Sequence, residues 1–230
     1  MKISVAIITL VLLWENACEP PDIKSIIQKY EQNVNASKVL QKDDKRLISN
    51  WSEEYQIKRL DVSIKYRMQM LKHEEHSFRT EGNIKWIECL HVHRKDIRKS
   101  KSFYHEKELV CLRTCTSRDA EKKQAVELLE KQIVKWRKGY RYLVNLCHLE
   151  NSGNKENAQQ CLVDYMQTDK YDEVIERLII LKQTAMSDLC ANYDYSLIDL
   201  EECLNTQLSK YLDKVRNLMD VLNKCYSIIT

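Results

Sequence analysis

The stretch LIDLEECLNTQLSKYLDKVRNLMDVLNKC, residues 197–225, decides the fold. Leu197, Leu200, Leu204, Leu208, Tyr211, Val215, Leu218, Leu222 and Cys225 step through it by threes and fours. That period lines them along one face of a helix and leaves the charged residues on the other. The same stepping recurs upstream in Val126, Leu129, Ile133, Trp136, Tyr140, Leu143 and Cys147, and again in Tyr171, Val174, Leu178, Leu181, Ala185 and Leu189. A shorter stripe, Trp51, Tyr55, Leu60, Ile64, Met68 and Leu71, is expected to face a core as well. Ser196 ahead of Asp199 reads as a cap opening the last helix. Only three glycines and two prolines occur in 230 residues, far fewer than sheets with many tight turns use. The expected fold is all-α, a disulfide-stabilised helical bundle or a serial array of helical hairpins.

The cysteines point to the compartment. Lys2 followed by the uncharged run Ile3 to Trp14 resembles a secretory signal peptide, with a cut expected near Ala17 and Cys18 before Glu19-Pro20-Pro21. The run is shorter than the roughly 20 apolar residues that cross a bilayer, so no membrane span is expected. Losing Cys18 leaves an even set: Cys89, Cys111, Cys115, Cys147, Cys161, Cys190, Cys203 and Cys225. An even set in a secreted chain implies a disulfide framework. Asn35-Ala36-Ser37 and Asn50-Trp51-Ser52 are N-glycosylation acceptors, which fits a secreted, extracellular protein.

Two segments share a plan of helix, cysteine, short polar loop, cysteine, helix. One holds Cys147 and Cys161 around Ser152, Gly153 and Asn154. The other holds Cys190 and Cys203 around Asn192 and Asp194. An αα-hairpin closed at its open end accounts for both, so bridges Cys147–Cys161 and Cys190–Cys203 are expected. Cys111 and Cys115 lie one helical turn apart and are expected to reach different partners, with Cys115–Cys225 or Cys111–Cys225 as candidates. The expected organisation is a signal peptide over 1–18, an N-terminal helical hairpin region over 19–80, and a disulfide-bonded helical region over 81–230.

No catalytic motif emerges. Gly82, Gly139 and Gly153 stand alone, so no loop cradles phosphate. His73-Glu74-Glu75-His76 has its histidines three apart, where a zinc protease helix needs four. Cys89, His91 and His93 bring metal-ligand types close together, yet a secreted cysteine is more often bridged. No catalytic, cofactor or metal residue is assigned. A net charge of +3 gives no strong steering toward nucleic acid. The basic run Arg94 to Lys101 reads as a solvated face.

Two resemblances follow from the cysteines. Cys89, Tyr104 and Cys111, then Cys203, Tyr211 and Cys225, form two cysteine-tyrosine-cysteine units whose outer cysteines are equally separated. In this the chain resembles the bicycle proteins, secreted effectors of gall-forming aphids. The resemblance implies an effector delivered in saliva into plant tissue; with no catalytic motif in the chain, it is expected to be non-enzymatic and to act by binding a host molecule. Cys111 and Cys115, three residues between them, resemble the mark of insect odorant-binding proteins and their salivary relatives. That resemblance implies a helical pocket for a small lipophilic ligand. The oligomeric state is left open at this level.

Overall fold

The computed structural model describes residues 22–80 and 83–229. The expected signal segment, with Cys18, lies outside them. The described residues form five helices: α1 Ile23–Ser77, α2 Ile84–Val92, α3 Arg94–Glu150, α4 Lys155–Thr168 and α5 Tyr171–Ile229. No strand occurs among the described residues. The all-α, disulfide-stabilised class expected from periodicity is the class observed.

The helix ends follow local chemistry. The Asn83 side chain caps α2 by accepting from Lys85 N at 3.0 Å. Asn154 caps α4 by accepting from Glu156 N and Asn157 N. Such caps satisfy amides that a helix start leaves orphaned. Gly153 turns the chain before α4 at φ 107°, a conformation glycine adopts without strain.

The chain divides into two compact units. The first comprises Met1–Asp43 and Leu129–Leu181, the second Asp44–Leu128 and Lys182–Thr230. In the first unit Tyr30 is buried against Trp136, Tyr140 and Tyr171, with Val34, Leu143, Leu162 and Met166 around them. Gly139 makes room there: a Cβ on it would lie 3.2 Å from the Tyr171 hydroxyl. Cys147 and Cys161 bridge across the α3–α4 turn, as the hairpin plan expects.

The second unit packs parts of α1, α3 and α5 side by side. Ser63 and Arg67 meet Glu108, and Glu74 meets Lys101, so α1 and α3 are antiparallel. Asp44 meets Lys182, Tyr55 stacks on Tyr193 and Lys65 meets Glu201, so α1 and α5 are parallel. Leu200, Leu204, Leu208, Tyr211 and Val215 of α5 bury against Tyr66 and Met70 of α1 and Tyr104, Cys111 and Cys115 of α3. Each such side chain contributes on the order of 1.5–3 kcal/mol by leaving water.

Three sequence expectations are corrected here. The region 19–80 is no hairpin: its described part is the single helix α1 with an exit turn. The α1 face toward the core is Tyr55, Ser63, Tyr66 and Met70, whereas Leu60, Ile64, Met68 and Leu71 are exposed. The apolar choice failed because the true inner face carries polar Ser63 beside Arg67, both bonded to buried Glu108. Finally, no hairpin interrupts α5. Asn192 and Ser196 lie inside the helix and donate to Asp119 at 2.7 and 3.0 Å, so Ser196 is a core contact and not a cap.

Candidate functional site

The cysteines and tyrosines of the two units meet residue for residue in the second compact unit. Antiparallel α3 and α5 place Cys111 opposite Cys203, bridged with Cα atoms 5.8 Å apart. Further along α5, Cys225 reaches back to Cys89 of α2, bridged at 6.0 Å. Between the bridges the rings of Tyr104 and Tyr211 stand edge to face, centroids 5.8 Å apart. Both tyrosines are fully buried. One unit thus runs against the other in reverse order, cysteine on cysteine and tyrosine on tyrosine. An edge-to-face aromatic pair adds about 0.5–1.5 kcal/mol beyond its area.

A polar node adjoins this pairing. Glu108, one turn after Tyr104, is buried and accepts from Ser63 Oγ at 2.8 Å and from Arg67 Nη2 at 2.9 Å, while His105 Nδ1 lies 3.3 Å from its second oxygen. A buried carboxylate needs such partners to offset its desolvation. Burial, and next the Glu108 charge, push the Tyr104 phenol up to about 12. Burial pushes Tyr211 up as well. A second node lies at Asp119, which accepts from Asn192 and Ser196. Sequence reasoning assigned no role to Glu108 or Asp119. The signal was present, since Tyr104, Glu108, Cys111, Cys115 and Asp119 follow one helical stripe with two acids set among apolar positions.

The remaining cysteine expectations need correction. Cys190–Cys203 does not form, because both residues lie on α5, separated by about 20 Å of helix at 1.5 Å per residue. A bridge needs Cα atoms within roughly 7 Å. Neither Cys115 nor Cys111 reaches Cys225, which is held by Cys89. Cys115 is a buried free thiol and Cys190 a half-buried one. Burial, followed by the Asp199 and Asp119 charges, raises the Cys115 thiol above its ordinary value.

Cys190 borders an open cleft of about 230 Å³ with Trp51, Tyr55, Lys58, Tyr193 and Leu197. His93, Lys99, Lys214, Leu218 and Val221 border a second, of about 410 Å³. Lys214 also lies over the Phe103 ring at 3.8 Å. Of the ligand types noted in sequence, Cys89 is bridged, His73 and His76 are exposed, and Glu74 pairs with Lys101. The glycan acceptors Asn35 and Asn50 are both exposed on α1. Among the described residues no helix is long and apolar enough to cross a membrane. No protein-family model, curated protein or solved structure matches the chain.

Proposed function

We propose that this chain is a secreted, non-enzymatic effector of the bicycle type, delivered in insect saliva into plant tissue and acting by binding a host molecule. One observation carries the reading: the two cysteine-tyrosine-cysteine units pair with each other, Cys89 with Cys225, Tyr104 with Tyr211 and Cys111 with Cys203. A motif repeated in sequence and matched partner to partner in space gains a structural reason for its equal spacing. Its bridges also suit an oxidising, extracellular setting. The carrier reading has less support. It rests on Cys111 and Cys115, and Cys115 is left as a thiol.

Native mass spectrometry on protein secreted by a eukaryotic host tests the proposal. The expected species is an empty chain recovered from the medium, oxidised at the six bridged cysteines, with glycan mass at Asn35 or Asn50. A bound compound of small-molecule mass, lost on organic extraction, would instead establish the carrier. Retention in the cytosol with reduced cysteines would overturn secretion and the effector role together.

A further inference from the structure

Between Ile57 and Leu71, α1 presents an apolar stripe that nothing among the described residues covers. Ile57, Leu60, Ile64 and Met68 are each more than half exposed, and Leu71 is 36% exposed. They follow one another at steps of three and four, the spacing of a seam that receives another helix. Contiguous exposed apolar area of this kind marks an interaction surface.

We propose that the occupant is a second copy of this chain, in a two-fold dimer with α1 antiparallel to α1 and Ile64 on the axis. The stripe reads the same in both directions from Ile64: Ile57 corresponds to Leu71, and Leu60 to Met68. A two-fold contact requires such self-complementarity, because one patch must face itself reversed.

The charges beside the stripe agree. At 100° per residue Glu54, Asp61, Lys65 and Lys72 fall along one flank of α1. Reversal about Ile64 carries Lys72 of the second copy to within two residues of the position facing Glu54, about 3 Å of helix rise, and Lys65 to the same offset from Asp61, each contact made twice. Asp61 and Lys72 make no ion pair among the described residues, whereas Glu54 pairs with Lys58 and Lys65 with Glu201, so in the dimer each of these two is shared between its own chain and the second copy. Four side chains more than half exposed, with Leu71 at their end and charges along the flank, give the face the apolar centre and polar rim of an interface. The dimer does not depend on the effector reading.

Sedimentation equilibrium of the full chain, secreted and with its thiols blocked, tests it. The expected result is a mass of two chains that falls toward one on dilution. Ile64→Asp puts two like charges on the axis and is expected to raise the dissociation constant at least tenfold. Because Ile64 is exposed, the variant is expected to keep the helical circular dichroism and all three bridges. Glu54→Lys is expected to weaken the dimer several-fold, and adding Lys72→Glu to restore it. A single chain at every concentration would overturn the proposal, as would a dimer indifferent to Ile64→Asp. Failure of Lys72→Glu to rescue Glu54→Lys would overturn the antiparallel register.

Discussion

Tyr104 enters the core with its ring against Tyr211 and its hydroxyl buried without a protein hydrogen-bond partner. A hydroxyl in that state loses its water and gains nothing in return, at a cost of about 1–3 kcal/mol. Tyr104→Phe is therefore expected to leave urea stability unchanged or raise it by about 1 kcal/mol. Tyr104→Ala is expected to lower it by about 3–5 kcal/mol through loss of the ring contact. The phenol also sets an alkaline limit. Its pKa rises from an ordinary 10.0 unfolded to about 12 folded, so the unfolded chain releases this proton first. The corresponding stability is fully present below pH 10, falls as pH rises, and is lost by about pH 12. Unfolding midpoints across this window, with tyrosinate absorbance, check the sign. An equally steep fall in Tyr104→Phe would assign it to other groups, Tyr140 among them, which is also pushed up to about 12. In the sequence Tyr104 was visible as a motif member, and its neighbour Glu108 only as an acid set in the same apolar stripe. A lone acid in an apolar stripe looks like a fault until the partners Ser63 and Arg67 are seen on another helix.

At the scale of elements, helix identity was legible and helix ends were only partly so. The α3–α4 turn announced itself through Gly153 and Asn154, which stop one helix and cap the next. The supposed break near Asn192 and Asp194 used the same polar letters, yet α5 continues through it. What distinguishes the two places is tertiary: Asn192 and Ser196 find Asp119 on α3, and Leu189, Tyr193 and Leu200 keep the buried period running. Asp119→Ala leaves those two donors without their acceptor. It is expected to destabilise by about 1–3 kcal/mol, read as a lower urea midpoint; an unchanged midpoint would mean that solvent already satisfies them. The bridge across the true hairpin offers a second test. Replacing Cys147 and Cys161 with serine opens a loop of sequence separation 14, with an expected loss of about 3 kcal/mol. Hydrogen exchange is expected to place the loss in the first unit, whose core holds Tyr30, Leu143 and Leu162. Faster exchange spread evenly over both units would count against that localisation.

Over the whole molecule, the two compact units divide α1, α3 and α5 at positions marked by no glycine or proline. That organisation was illegible because long helices hide a change of neighbours: the backbone runs on while the buried face acquires different partners. Cysteine accounting was half legible for a related reason. An even number suggested complete pairing, whereas the antiparallel register of α3 and α5 brings Cys111 to Cys203 and strands Cys115 and Cys190. Thiol titration of the unreduced protein in denaturant is expected to give two thiols per chain from which Cys18 has been removed. None would mean that Cys115 and Cys190 are bridged after all. Without denaturant, alkylation is expected at Cys190 long before Cys115. Cys190 is half-buried beside an open cleft, while Cys115 is buried and holds its proton more tightly because the thiolate would be desolvated and would face Asp199 and Asp119. Peptide mapping after brief alkylation separates the two sites. Equal labelling would show that the α3–α5 contact around Cys115 opens on the timescale of the reaction, one turn beyond the Cys111–Cys203 bridge, so that the covalent pairing of the cysteine-tyrosine-cysteine units and not the packing at Cys115 holds the two helices in register.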